Sequence, residues 1–137
     1  MEFEDYRRKF FQDPMPDPRF SFQGSFGLTL YYQEYQQAVQ FYSEVLGPPP
    51  YVEGKWTRGW PIGDGWLTLL YGKNGNPANL EITFEMHSPE EAERLQRAFV
   101  DAGGQGQPSS SQLMYKPIRS CPVIDPFGVE ILIIAPL

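Results

Sequence analysis

The sequence predicts an α+β chain built on a duplicated strand–helix unit, and three observations carry that reading. First, Leu80, Ile82, Phe84 and Met86 are apolar at every second residue, with Glu81, Thr83, Glu85 and His87 between them. This is the period of a strand buried on one side. Second, the period switches at Ser88-Pro89-Glu90-Glu91, which sets a side-chain acceptor at N-cap, Pro at N1 and a carboxylate at N3, so a helix begins there. Ala92, Leu95, Ala98, Phe99 and Ala102 follow at helical spacing, and Gly103-Gly104 supplies a left-handed stop. Third, a copy lies upstream. Setting Gly27 against Glu81 pairs Leu28 with Ile82, Leu30 with Phe84, Ala38 with Ala92 and Val45 with Phe99, the mark of a multi-element repeat with a period of about 50 residues.

With 137 residues the chain fits one domain by the usual scale of ~100 to 200 residues, so the two units share it. The remaining elements follow in order. Residues Phe3 to Phe11 form a short helix with Phe3, Tyr6 and Phe10 on one side, and Asp13-Pro14-Met15-Pro16-Asp17-Pro18 then forces an extended connector. This arm, residues 1–24, carries enough aromatic surface to need burial on the sheet, on a helix or on a second subunit. The domain proper spans 25–135. Its first unit, 25–72, holds a strand Phe26–Tyr32, a helix Tyr35–Leu46 stopped by Pro48-Pro49-Pro50, and strands Tyr51–Lys55, Trp56–Ile62 and Trp66–Tyr71, the last two joined across Gly63-Asp64-Gly65. The second unit, 79–135, continues past its helix with a polar edge strand in Gln105–Gln112 and a mobile Ser109-Ser110-Ser111 tip. Tyr115–Ile124 follows, interrupted by Pro117 and Pro122 and therefore expected at a sheet margin. After Asp125-Pro126-Phe127-Gly128 turns the chain, Val129–Ile134 closes the sheet.

A net charge of −6 excludes nucleic acid and anionic membrane as partners, since both need a cationic face. No apolar run approaches the ~20 residues of a membrane span, and Met1-Glu2-Phe3-Glu4-Asp5 lacks a signal-peptide pattern. Cys121 is the single cysteine, so no intrachain disulfide forms and a reducing cytoplasm is expected.

Phe41-Tyr42-Ser43-Glu44-Val45-Leu46-Gly47 at the end of the first helix, and Asp125-Pro126-Phe127-Gly128 before the last strand, resemble the two signatures of the vicinal oxygen chelate superfamily. That group includes glyoxalase, extradiol dioxygenases, and fosfomycin and bleomycin resistance proteins. The resemblance implies two βαβββ modules whose curved mixed sheets surround a cleft, with helices on the outer face. It also implies a metal held by His, Gln or Glu side chains at fixed strand positions. Carried onto this chain, those positions fall on Gly27, Glu81 and Leu132, and the remaining ligand strand, Trp66–Tyr71, holds no His, Asp, Glu, Asn or Gln. Two of the three assignable positions offer no side-chain donor.

A shifted metal site is hard to assemble. At ~3.3 Å per residue, Glu85 lies ~13 Å and His87 ~20 Å from Glu81 along the strand, too far for one coordination sphere. Glu81 with Glu130 is the remaining pair, and two carboxylates without imidazole suit only hard cations. Neither a metal, a cofactor nor a catalytic residue is therefore assigned. Instead Trp56, Trp60 and Trp66 concentrate in the first unit, and Thr29, Tyr31, Glu81, Thr83, Glu85, Glu130 and Leu132 are the further candidates for a ligand cleft. An aromatic, acidic hollow suits a planar or cationic organic molecule. The expectation is a glyoxalase-like or bleomycin-resistance-like homodimer that binds a small molecule. The alternatives are a metal-dependent lyase, isomerase or dioxygenase with an atypical site around Glu81 and Glu130, and a protein-interaction module with a filled cleft.

Overall fold

A computed structural model of the chain describes residues 1–22, 24 and 26–137. The expected start of the domain, at Ser25, lies outside the described residues. The elements run α1 (Phe3–Phe10), β1 (Leu28–Tyr32), α2 (Tyr35–Leu46), β2 (Tyr51–Val52), β3 (Thr57–Ile62), β4 (Gly65–Tyr71), β5 (Glu81–Glu85), α3 (Pro89–Asp101), β6 (Gln105–Gly106), β7 (Ser110–Leu113), β8 (Pro117–Ile124) and β9 (Glu130–Pro136). Two open mixed sheets result. One has the order β1-β4-β3-β2, and the other β5-β9-β8-β6 with β7 also on β8. In each, the strand that precedes the helix pairs in parallel with the last strand of its unit, Leu30 beside Leu69 and Phe84 beside Ile133. The repeat seen in the sequence is thus a repeat of topology.

The strand parities decide what meets the helices. Leu30, Tyr32, Leu67 and Leu69 lie buried with Tyr35, Ala38, Phe41 and Tyr42 of α2, while Ile82, Phe84, Cys121, Val123, Ile131 and Ile133 lie buried with Ala92 and Phe99 of α3. Ala38 and Ala92, equivalent under the repeat, are both fully buried, as close helix–sheet packing requires. The two layers merge through one aromatic cluster: Phe99 stacks on Phe84 at 6.1 Å and meets Phe41 at 5.9 Å and Tyr42 at 6.3 Å. Each such ring removes on the order of 150–250 Å² from water, so Phe99 ties the second unit to the first. Ser88 caps α3 as expected, its hydroxyl accepting from the Glu91 N–H at 3.2 Å, and Gly103 stops the helix at φ +118°.

Several expectations are corrected. The hairpin between β3 and β4 has a two-residue loop, Gly63-Asp64, because Ile62 pairs with Gly65. Gly63 takes the left-handed conformation at φ +57°, and Gly65 belongs to the strand, where a Cβ would stand 1.8 Å from the Phe26 carbonyl oxygen. The serines expected at a mobile tip are ordered instead, with Ser110 and Ser111 paired to Ser120 and Arg119 of β8. The strand β8 is interior, flanked by β9 on one side and by β6 and β7 on the other. Pro122 is tolerated there because its carbonyl accepts from Gln107 N–H at 3.0 Å and from Gln96 Nε2 at 2.8 Å. Its missing donor thus faces the break between β6 and β7. The arm is less covered than its composition suggests. No residue of α1 is buried, and Phe20 and Phe22 are 73% and 83% exposed.

Candidate functional site

A hollow of about 790 Å³ opens where the start of the first unit meets the edge strand of the second, lined by Gly24, Phe26, Leu28, the hairpin from Ile62 to Leu67, and Leu80 to Glu85. The lining follows from strand geometry. Along β5, Glu81, Thr83 and Glu85 alternate outward while Ile82 and Phe84 point under α3. On β4, Trp66 faces away from α2, and its indole lies over Gly59 of β3 and against Tyr51, with ring centroids 6.3 Å apart. A Cβ at Gly59 would only touch the ring, 3.5 Å from Trp66 Cε3, so the indole packs directly on this stretch of β3.

Of the residues singled out from sequence, Trp66, Glu81, Thr83 and Glu85 line this hollow. Glu85 is ion-paired with Lys116. The others are elsewhere. Trp60 is 1% exposed beneath α2, its indole N–H donating to the Gly47 carbonyl at 2.8 Å. Trp56 packs on the helix side with Tyr71 at 4.7 Å and Tyr35 at 5.4 Å. Thr29 and Tyr31 are exposed on β1 outside the lining, and Leu132 is half-buried beside Thr83. Glu130 stands directly opposite Glu81 in the parallel pairing of β5 with β9, and both border a shallow depression of about 220 Å³ that also includes Gln107 and Pro122. The sequence reading missed Phe26, Leu28, Ile62, Asp64 and Leu80. Asp64 had a visible signal in its hairpin loop, but Phe26 enters only because β1 starts at Leu28 and leaves it free at the rim.

The donors that a metal would need do not converge. Gly27 has no side chain and Leu132 is a hydrocarbon. On β4 the residues sharing the outward face with Trp66 are Thr68 and Leu70. That leaves Glu81 beside Glu130, two like charges with no imidazole, and no group of three or more His, Cys, Asp or Glu side chains is gathered among the described residues. The residues present do not fit the superfamily's metal.

A second polar cluster, absent from the sequence reading, lies buried between the units. Asp125, 3% exposed, accepts the Tyr32 and Tyr42 hydroxyls on Oδ2 at 3.0 and 2.9 Å. Its Oδ1 accepts the Phe127 and Val129 N–H groups, both at 2.8 Å. Four donors saturate one carboxylate, which is how a buried charge is retained without a cation. Burial first, then the negative charge of Asp125, pushes the Tyr32 phenol far above its ordinary value. Tyr42 is raised in the same way, by burial first and then by Tyr32 and Asp125. The Asp of Asp125-Pro126-Phe127-Gly128 therefore both closes the turn before β9 and fastens the two units together. It is structural and does not reach the hollow.

Two open sheets, each with a parallel first-and-last pairing and a helix on the outer side, around an aromatic and acidic hollow, define a glyoxalase-type two-module protein. The sequence profile of the Glyoxalase/Bleomycin resistance protein/Dioxygenase superfamily matches residues 26–133, and the chain belongs to that superfamily. Solved structures agree on the fold. A glyoxalase/bleomycin resistance protein from Albidiferax ferrireducens T118 is 20% identical, with TM-score 0.63 over 81% of this chain and 97% of that one. A glyoxalase/bleomycin resistance protein/dioxygenase family enzyme from Burkholderia phytofirmans PsJN is 14% identical, with TM-score 0.65 over 81% and 97%. A virulence protein from Salmonella typhimurium is 18% identical, with TM-score 0.64 over 90% and 100%. Among curated proteins, none matches this chain by sequence.

Proposed function

We propose that this chain is a small-molecule binding member of its superfamily, holding a planar or cationic organic ligand in the hollow without a catalytic metal. One observation carries the reading: Phe26 and Trp66 share the lining with Asp64 and Glu81, and among the described residues neither carboxylate is paired with a basic side chain. A π-face beside an unpaired carboxylate favours a cation with an aromatic or flat body, and the volume falls within the ~300–1,000 Å³ usual for ligand sites. The buried free thiol of Cys121 fits a reducing cytoplasm, and no helix among the described residues is long and apolar enough to cross a membrane. A homodimer is part of the same reading.

Titration of the intrinsic tryptophan fluorescence with a cationic planar dye, and with a neutral dye of the same shape, tests it. Saturable quenching by the cation that weakens at least about tenfold in Trp66→Ala, and survives in Trp60→Phe, supports the assignment. Absence of saturable binding by any planar cation sinks it. The second reading, a metal-dependent lyase, isomerase or dioxygenase, rests on the adjacency of Glu81 and Glu130. Stoichiometric transition metal retained after a chelator wash, and lost in Glu81→Gln, would place that reading first.

A further inference from the structure

The hollow holds three carboxylates, those of Asp64, Glu81 and Glu85, and among the described residues its lining includes no Lys, Arg or His. The three are not equivalent. Asp64 and Glu81 have no basic partner among the described residues, whereas Glu85 is ion-paired with Lys116, which lies outside the lining. Lys116 belongs to the turn between β7 and β8, a turn fixed by the pairing of Leu113 with Pro117, and it reaches Glu85 from two strands away in the sheet. Both side chains stay partly solvated, at 48% and 45% exposure.

We propose that Lys116 is a specificity residue of the hollow: it supplies a built-in cation to Glu85 and so makes the site one for a ligand whose positive charge lies at a single end. This rests on the small-molecule reading of the same hollow. Glu81 and Glu85 stand on one face of β5 with Thr83 between them, their Cα atoms about 13 Å apart at ~3.3 Å per residue. A flat molecule with one cationic end places that charge on Glu81 or Asp64 and its body against Trp66. A molecule charged at both ends needs Glu85 for its second charge, and Lys116 already holds it. Displacing the ammonium exchanges one cation for another on the same carboxylate, so the second charge of the ligand is desolvated with no net return. Discrimination of this kind comes from a group that opposes the wrong ligand as much as from groups that attract the right one. The effect is confined to the Glu85 end, because the field of an exposed ammonium is screened within about 10 Å at 0.1 M salt.

The test uses the full chain and two planar dyes with the same body and the same two positive charges. One carries an ammonium group at each end, about 13 Å apart, and the other carries both at one end. Their Kd values are compared by tryptophan fluorescence at fixed salt. In the wild type the end-to-end dye is expected to bind no tighter than its one-ended isomer. Lys116→Met removes the charge and keeps the apolar stem, and it should shift the ratio of Kd values toward the end-to-end dye by about three- to fivefold, the strength of an exposed ion pair. Lys116→Arg should keep the wild-type ratio, and Glu85→Gln added to Lys116→Met should restore it. The ratio cancels any general gain from deleting a positive charge, which acts on both dyes alike. A wild type that already favours the end-to-end dye, a ratio unmoved in Lys116→Met, or a shift that persists without Glu85 would overturn the role of Lys116 while leaving dye binding in the hollow intact. Binding of neither dye would overturn the small-molecule reading along with it.

Discussion

Replacement of Asp125 tests how the two units are held together. In Asp125→Ala four donors lose their acceptor at once: the Tyr32 and Tyr42 hydroxyls and the Phe127 and Val129 N–H groups. The hydroxyls lie 3.4 Å apart and can rotate to serve each other, which recovers part of the loss. The two N–H groups close a turn and have no other acceptor nearby. At about 1–3 kcal/mol for each stranded buried group, the expected loss is about 3–5 kcal/mol, a large part of the ~5–15 kcal/mol that holds a domain. Asp125→Asn is the informative partner. Its carbonyl can keep both backbone donors, but its amide nitrogen cannot accept from the tyrosines, so the loss falls to about 1–2 kcal/mol. Both variants are read by urea unfolding as a shift of midpoint at constant slope. A midpoint for Asp125→Ala that corresponds to less than about 1 kcal/mol would refute the inference that this carboxylate fastens the units.

Three further predictions follow from the same geometry. Tyr32, Tyr35 and Tyr42 all have phenols raised by burial, so the folded chain holds protons that the unfolded chain releases; stability present below about pH 10 is lost as pH rises above it. Unfolding free energy measured across that range should fall less steeply in Tyr32→Phe, and an unchanged slope would contradict the cause. The Tyr35 hydroxyl is buried with no hydrogen-bond partner, so Tyr35→Phe should leave the melting temperature unchanged or raise it, by up to about 1 kcal/mol in stability; a clear drop would show a partner for that hydroxyl. Gly65→Ala places a Cβ 1.8 Å from the Phe26 carbonyl oxygen, which forces the rim of the hollow apart. It should cost about 2–3 kcal/mol and weaken dye binding in the fluorescence titration, whereas Gly63→Ala, where a Cβ meets no protein atom within 4 Å, should destabilise through its left-handed φ alone.

The placement of the tryptophans shows why part of the candidate site escaped the sequence. Read as a three-residue loop, Gly63-Asp64-Gly65 would set Trp60 opposite Thr68 and put Trp60 and Trp66 on one face. The loop has two residues, so Trp60 pairs with Leu67 and the whole of β3 turns over relative to β4. A one-residue change of register exchanges the faces of a strand. Trp60 goes into the core and Trp66 to the hollow for that reason alone. The bulk of the fold was legible because it is local. The alternation through Leu80–Met86, the cap at Ser88 and the stop at Gly103 each involve residues within a few positions of one another, and the copy beginning near Gly27 obeys the same rules.

The local sequence therefore determined which segments become strands and helices, that they occur twice, and that Gly27 and Leu132 cannot donate to a metal, since a missing donor atom is a property of the residue type. Only the tertiary structure decided which faces of neighbouring strands agree, that β8 with its two prolines lies inside a sheet, and that Asp125 meets two phenols 93 and 83 residues away. Periodicity specifies how a side chain points relative to its own backbone. What it points at is fixed by hairpin register and by packing between distant segments, and neither is written in any single stretch of the chain.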